Sequence, residues 1–174
     1  QLDLRPDLTT PNTTCTSPFI TNGDFSDPIG SEYQVFNHTS VQNPSGILEM
    51  TLTTAGQRAR IQQQSQIGVA ANSVMRARFN LGNTGSQTKK VIVVIVDRGV
   101  NGDIENDGYF CTFFIPGNTP LQGYTMTIRT AVNWANASVR IMVEDSTQPA
   151  LRVDNLQLDL RPDLSVSGTT CGSP

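Results

Sequence analysis

The sequence predicts an all-β fold, two antiparallel sheets packed as a sandwich around one core. Three observations point there. Runs of β-branched and aromatic residues alternate with polar ones, clusters of turn residues separate the runs, and no segment carries a convincing 3.6-residue apolar period. At 174 residues the chain can bury roughly 70% of its unfolded surface, enough for one ordinary core.

In chain order, Ile47-Leu48-Glu49-Met50-Thr51-Leu52-Thr53 alternates. The Gln-rich stretch 57–72 has room for a turn of helix, but Arg58-Ala59-Arg60-Ile61 reads better as a strand. The run 73–81 alternates with a change of facing or a bulge expected between Val74 and Phe79. Lys90 to Val96 is continuously apolar after its lysine, as for a strand central to a two-sheet core. Strands are expected at Tyr109 to Ile115, Tyr124 to Arg129, Ser138 to Glu144 and Leu151 to Leu158. Period-2 alternation gives each strand one core face and one water face. Asn43-Pro44-Ser45-Gly46, Gly82-Asn83-Thr84-Gly85, Asn106-Asp107-Gly108 and Pro116-Gly117-Asn118 supply the turns.

The two ends match. Gln1-Leu2-Asp3-Leu4-Arg5-Pro6-Asp7-Leu8 is repeated at Gln157 to Leu164, Thr13-Thr14-Cys15 at Thr169-Thr170-Cys171, and Ser17-Pro18 at Ser173-Pro174. That is 13 identities in 18 positions at an offset of 156 (171 − 15). The period is too long for a solenoid and is the size of a domain. The expectation is a tandem array: 1–17 the end of a preceding repeat and a linker, 18–160 the β-sandwich, 161–174 a linker into the next. Both ends are Pro- and Thr-rich and are expected to be extended. An opening without Met or signal peptide agrees with a mature or excised segment.

Net charge is −3, and only 16% of residues are charged against an average near 25%. No basic patch exists to meet nucleic acid, and no apolar run approaches the ~20 residues of a membrane span. Three cysteines become two per repeat once Cys15 and Cys171 are counted as one position. An even count suits a disulfide and an oxidising, extracellular or cell-surface compartment. Cys111 is expected to pair with a linker cysteine, with Cys15 and Cys171 both open as partners. Asn12, Asn37 and Asn136 head N-x-[ST] sequons and are candidate glycosylation sites.

Asn22-Gly23-Asp24-Phe25 near the start and Val153-Asp154-Asn155-Leu156 in the last strand resemble the signatures of carbohydrate-binding modules and galactose-binding-like domains. Tyr109 to Pro116, Tyr124-Thr125 and Trp134-Ala135-Asn136-Ala137 look like repeats of large bacterial surface proteins. The resemblance spans about residues 18–160 and implies a jelly-roll sandwich. It also implies that calcium, where present, ties the opening segment to the last strand through Asp24 and Asp154. Ser26 stands where the family often has Glu, which weakens that site. No cofactor is required by the sequence; calcium is an option. Asp103 and Asp107 are weaker metal candidates in a loop that misses the EF-hand pattern. Trp134 and Tyr33, with Phe36, are the candidate glycan platforms.

No enzyme is expected. His38 is the one histidine and lies inside a sequon; Glu49 and Glu144 are carboxylates that alternation places on solvated faces. The leading expectation is a structural repeat of an extracellular filament, stalk or adhesin. Its partners would be neighbouring copies, reached through strand-like Leu2, Leu4, Leu158 and Leu160. The alternative is a carbohydrate-binding module of a larger secreted protein, with surface glycans as partners.

Overall fold

The computed structural model describes residues 19–36, 38–99, 107–144 and 150–174. Among the described residues eleven strands run in order: β1 Tyr33–Val35, β2 Thr39–Gln42, β3 Leu48–Leu52, β4 Arg58–Gln64, β5 Val74–Asn83, β6 Lys89–Asp97, β7 Asp107–Ile115, β8 Thr119–Arg129, β9 Ala137–Glu144, β10 Leu151–Leu160 and β11 Thr170–Gly172. The described residues contain no α-helix; Pro44–Gly46 forms a single 3-10 turn. None of the described elements is a helix long and apolar enough to cross a membrane.

The strands form two antiparallel sheets, a five-stranded one in the order β1-β4-β9-β6-β7 and a six-stranded one in the order β11-β8-β5-β10-β3-β2. This is the two-sheet jelly-roll sandwich that the sequence predicts. The inner faces interdigitate. Val91, Val93 and Ile95 of β6 and Val139, Ile141 and Val143 of β9 meet Ala77, Phe79 and Leu81 of β5, with Leu48, Met50, Met126, Ile128 and Leu158 from its neighbours. Phe79 packs edge-on against Phe113 at 5.6 Å between centroids, tying the sheets through aromatic contact.

Two local expectations change. The β5–β8 register is continuous from Val74 to Leu81, so no bulge separates Val74 from Phe79. Val74 is buried on the outer face beside Arg76 and Arg78 because the closing segment lies over it: Arg161 N–H donates to the Val74 carbonyl at 2.8 Å. The bulge falls instead in β10, between Asp154 and Gln157. The run Lys90 to Val96 lies one strand in from the edge, and its apolar residues at 92 and 94 face outward.

The stretch 161–174, expected as an extended linker, is folded onto the body. Thr170, Cys171 and Gly172 pair with Thr127, Met126 and Thr125 of β8, and Cys171 is bonded to Cys111 of β7 with Cα atoms 5.8 Å apart. Composition read as tether because polar and small residues dominate, but backbone pairing and one covalent bond suffice to hold it. Leu158, expected in a strand for a neighbour, is buried in this domain's own core, and Leu160 pairs with Met75 of β5. Leu2, Leu4 and Cys15 lie outside the described residues.

Candidate functional site

The outer face of the five-stranded sheet carries one row of side chains across all five strands. Register places Gln34 of β1 beside Gln62 of β4, Gln62 beside Arg140 of β9, Arg140 beside Val94 of β6, and Val94 beside Phe110 of β7. Because Cβ atoms alternate, every second residue from these shares the face. It therefore holds Arg58, Arg60 and Gln64 from β4, Met142 and Glu144 from β9, Lys90 and Ile92 from β6, and Thr112 and Phe114 from β7.

The polar half of the row is wired together. Arg140 Nε donates to Gln62 Oε1 at 2.8 Å, and Gln62 and Gln64 both donate from Nε2 to Gln34 Oε1 at 3.4 and 3.3 Å. Gln62 and Arg140 are only 1% and 7% exposed, so these bonds hold buried amide and guanidinium groups in fixed orientation. At the β1 end the Arg60 guanidinium sits 3.4 Å over the Phe36 ring. A cavity of about 550 Å³ opens there, lined by Phe36, His38, Gln57, Arg58, Arg60 and Met142 among others.

The β7 end is the opposite in character. Phe110 and Phe114 are 67% and 66% exposed, the two most exposed large apolar side chains among the described residues. They lie four residues apart on one face of an edge strand, roughly 14 Å along it at ~3.4 Å per residue. Two unburied aromatics in line on a sheet edge need an explanation that a single exposed apolar residue would not.

Among the described residues the face carries Arg58, Arg60, Lys90 and Arg140 and the carboxylate Glu144, which accepts from Lys90 Nζ at 2.8 Å and pairs with Arg58. The hydrogen bond from Lys90 leads the causes that hold the Glu144 carboxyl below its usual range, with the Arg58 charge assisting.

Of the sequence-predicted platforms, Phe36 lies at this face under Arg60, and the other two are elsewhere. Trp134 is 3% exposed; its ring stacks on Tyr109 at 6.3 Å and its Nε1–H donates to Asp107 Oδ2 at 3.0 Å. Tyr33 is buried against Phe25, and its hydroxyl donates to the Asn22 carbonyl. Neither presents a ring to solvent, because each fills an end of the sandwich. Asn136 is buried too. Its Nδ2 donates to Gln64 Oε1 at 3.0 Å and its Oδ1 accepts from Gln66 N–H, so a glycan has no access to that amide. Asn12 and Asn37 lie outside the described residues. Glu49 and Glu144 stand in different sheets and do not converge.

Asp24 and Asp154 do come together. Leu156 N–H donates to the Gly23 carbonyl at 2.7 Å, which lays the opening segment along β10. Burial pushes the Asp154 carboxyl up, and the Asp24 charge raises it further against the Asn155 N–H that lowers it. That repulsion is what a cation would relieve. Local donors already use part of the capacity: Asp24 Oδ1 accepts from Ser26 N–H and Oγ–H, and Asp154 accepts from Asn155 N–H at 2.7 Å and Nδ2–H at 3.0 Å. No third His, Cys, Asp or Glu joins them among the described residues. A hard cation wanting six to eight oxygens would take the rest from backbone carbonyls and water. Asp107 is committed to Trp134, and Asp103 lies outside the described residues.

Sequence reasoning missed Phe110 and Phe114. Residues 109–115 are apolar or aromatic on both faces of the strand, so period 2 gave no contrast. The available signal was that double-sided pattern itself, which fits a buried strand or an edge strand with a working outer face.

Comparisons with solved structures agree on the fold. The chain is similar to tailspike protein 4 of bacteriophage CBA120 in its enzymatically active domain (TM-score 0.65, 14% identity, covering 83% of this chain and 22% of that one). It is also similar to a CBM4 structure (TM-score 0.59, 17% identity, covering 82% of this chain and 99% of that one). A third is the CBM22-1 xylan-binding domain of Paenibacillus barcinonensis Xyn10C (TM-score 0.57, 13% identity, covering 79% and 91%). The chain thus spans about a fifth of the tailspike chain and nearly all of the free-standing modules. No protein-family model matches the sequence, and no curated protein matches it.

Proposed function

We propose that this domain is a glycan-binding module of a larger extracellular protein, and that the outer face of its five-stranded sheet is the binding surface. The observation that carries the reading is the exposed pair Phe110 and Phe114 at the end of a row of oriented amide and guanidinium groups. Sugar rings offer apolar faces to stack on aromatics and hydroxyls to bond to fixed polar groups. The fold likeness to free-standing carbohydrate-binding modules supports the reading, and the disulfide supports an oxidising compartment. The cationic side chains Arg58, Arg60, Lys90 and Arg140 described on this face make glycans with acidic groups the first to try.

The test is affinity electrophoresis and calorimetry against a panel of neutral and acidic polysaccharides, with Phe110→Ala and Phe114→Ala singly and together. The double variant is expected to bind at least tenfold more weakly, about 1.4 kcal/mol, with unchanged melting. Binding that survives the double variant, or acidic glycans bound no better than neutral ones, counts against the face or its charge preference respectively.

A second reading is a structural repeat in a filament, stalk or adhesin, and one observation favours it: the 13 identities between residues 1–18 and 157–174. The two readings are compatible, since an array of modules displays many copies of one face. Calcium at Asp24 and Asp154 belongs to either as a proposed stiffener of the seam between the opening segment and β10.

A further inference from the structure

We infer that the outer face of the six-stranded sheet carries a second saccharide site, a small cup over Gly123 of β8 that takes a neutral, hydroxyl-rich ring. The cup shares no residue with the outer face of the five-stranded sheet, so it stands or falls apart from the reading given to Phe110 and Phe114. Register sets two rows of residues across β8, β5 and β10. Gly123 pairs with Asn80 and Asn80 with Asp154; Thr125 pairs with Arg78 and Arg78 with Gln157. Both rows lie on the outer face, because Tyr124, Phe79, Leu156 and Leu158, which alternate with them, are in the core.

Glycine weakens a strand interior, since it loses the most backbone freedom on folding and packs nothing in return. Packing accounts for the glycine of the neighbouring strand: a Cβ at Gly82 would stand 3.1 Å from the Leu121 backbone nitrogen and 3.3 Å from the Pro120 carbonyl carbon. Neither packing nor conformation accounts for Gly123. Its φ lies outside the left-handed region, and the nearest atom a Cβ would meet is Asn80 Oδ1 at 3.7 Å, an ordinary contact. Position 123 has the room and the backbone geometry for a side chain and carries none. What the glycine does is keep open a depression of about 380 Å³ in the middle of the sheet. That size falls at the small end of ligand pockets, which run about 300–1,000 Å³.

The rim supplies the chemistry. The side chains of Asn80, Thr125 and Gln157 line the depression and form no hydrogen bond with any other described residue. Two amides and a hydroxyl offer both donors and acceptors, the combination that a sugar hydroxyl also presents. Two further groups are held in place by the fold. Asn155 stands in the β10 bulge at φ 51° and gives its Nδ2–H to Asp154 Oδ2 at 3.0 Å, which keeps Oδ1 as an acceptor. Arg78 Nη2 donates to Asp159 Oδ2 at 2.9 Å, so its charge is already met and the cup favours no anion. The Phe79 and Tyr124 side chains beneath are 1% and 6% exposed and offer no ring to stack on. The ligand is therefore neutral and gripped by hydrogen bonds, unlike one laid along Phe110 and Phe114. Hydrogen bonds made in exchange for water hold weakly, so a Kd of roughly 1–10 mM is expected.

The test is an amide-detected NMR titration of the full chain with glucose, galactose, mannose and xylose, each taken to about ten times the expected Kd. At least one sugar is expected to shift the Gly123 backbone amide and the Asn80 and Gln157 side-chain amides along a single saturating curve. Gly123→Val fills the cup and is expected to abolish the shifts at Asn80 and Gln157 while the protein melts as the parent does. The Phe110→Ala, Phe114→Ala double variant is expected to keep them. If Gly123→Val does not fold, Asn80→Ala with Gln157→Ala, which breaks no hydrogen bond between described residues, is read at the Gly123 amide and is expected to bind at least tenfold more weakly. Shifts absent with all four sugars, or unchanged in Gly123→Val, overturn the cup. So do shifts that vanish in the phenylalanine double variant, since they place the sugar on the five-stranded sheet. Saturating shifts here beside no glycan binding at Phe110 and Phe114 remove the proposed face and leave the cup standing.

Discussion

The sandwich is tied at two seams, and they are tied by opposite means. At one, β7 of the five-stranded sheet and β11 of the six-stranded sheet are joined covalently through Cys111 and Cys171. At the other, the opening segment Asn22 to Phe25 is laid against β10 at Asp154 to Leu156 by one backbone hydrogen bond, and the Asp24 charge is felt by Asp154 across it. The second seam also concentrates left-handed backbone: Asn22, Phe25 and Asn155 all have φ of 51°. Asn accepts that conformation readily, Phe does not, and the buried Phe25 ring packed at a tilt against Tyr33 offsets the strain. The disulfide seam holds a tail with almost no apolar contact of its own. The carboxylate seam holds a segment that is well packed but electrostatically opposed. A closure can therefore be strong because of its bond or because of its packing, and the two respond to different perturbations.

Breaking the covalent seam should have the largest effect. Cys111 and Cys171 are 60 residues apart, and closing a loop of that length lowers the entropy of the unfolded chain by about 4 kcal/mol in the chain-entropy model. Cys171→Ser is expected to cost between about 2 and 4 kcal/mol by urea unfolding, and to free residues 165–174 to fast amide exchange while β5 and β10 stay protected. Loss of protection in β10 as well would mean the tail organises the sheet and is not merely clasped to it.

The packed seam is sensitive to a single methyl group. Gly23 approaches β10 so closely that a Cβ would stand 2.0 Å from the Leu156 carbonyl oxygen, a backbone atom that cannot step aside. Gly23→Ala is expected to cost about 1–3 kcal/mol by forcing the opening segment off β10. A stability within 0.5 kcal/mol of the parent would show that the segment docks loosely. Gly56, at φ 76° with nothing nearby, is the control for conformation without contact.

These seams also mark where the sequence was and was not legible. Alternation in 47–53 and 151–158 gave strands and their core faces, because one face of each is buried and the other is not; alternation in 138–144 gave the strand, although β9 is buried on both faces. Asn22-Gly23-Asp24-Phe25 and Val153 to Leu156 were singled out as a pair, and the fold brings them together. The tail was read as a tether held at Cys171 or Cys15; the bond to Cys111 forms at Cys171, and what the sequence hid is the backbone pairing of Thr170 to Gly172 with β8. Trp134 was placed in a turn, where its exposure depended on which loop end it capped; the pairing of Val69 with Trp134 and the Asp107 carboxylate draw it inside. Phe110 and Phe114 could not be told from core residues by period alone, because being outward matters only once β7 is known to be an edge.

A smaller effect separates the outer face from the carboxylate seam by pH. On the outer face Glu144 is held below its ordinary range by Lys90 and Arg58, so the stability it lends is present above the unfolded carboxyl value and fades as pH falls through the folded one. Glu144→Gln is expected to cost up to about 1 kcal/mol at pH 7 and nothing at pH 2, read as the difference in melting between the two proteins.

Asp154 has the opposite sign. Its folded value is raised, chiefly by burial, so its favourable contribution is complete below the unfolded carboxyl value and is lost as pH rises through the folded one. Near neutral pH its ionised form strains the seam. In chelator, Asp154→Asn is expected to melt a few degrees higher than the parent at pH 7 and to match it near pH 2, a gain of about 1 kcal/mol or less. Calcium reverses the comparison. If the cation sits between Asp24 and Asp154, it uses the ionised carboxylate, and added calcium raises the melting of the parent and leaves the Asn variant where it was. Equal response of both proteins to calcium removes the metal from this seam while leaving its pH dependence intact, because that dependence needs only the burial of Asp154, with the Asp24 charge adding to it.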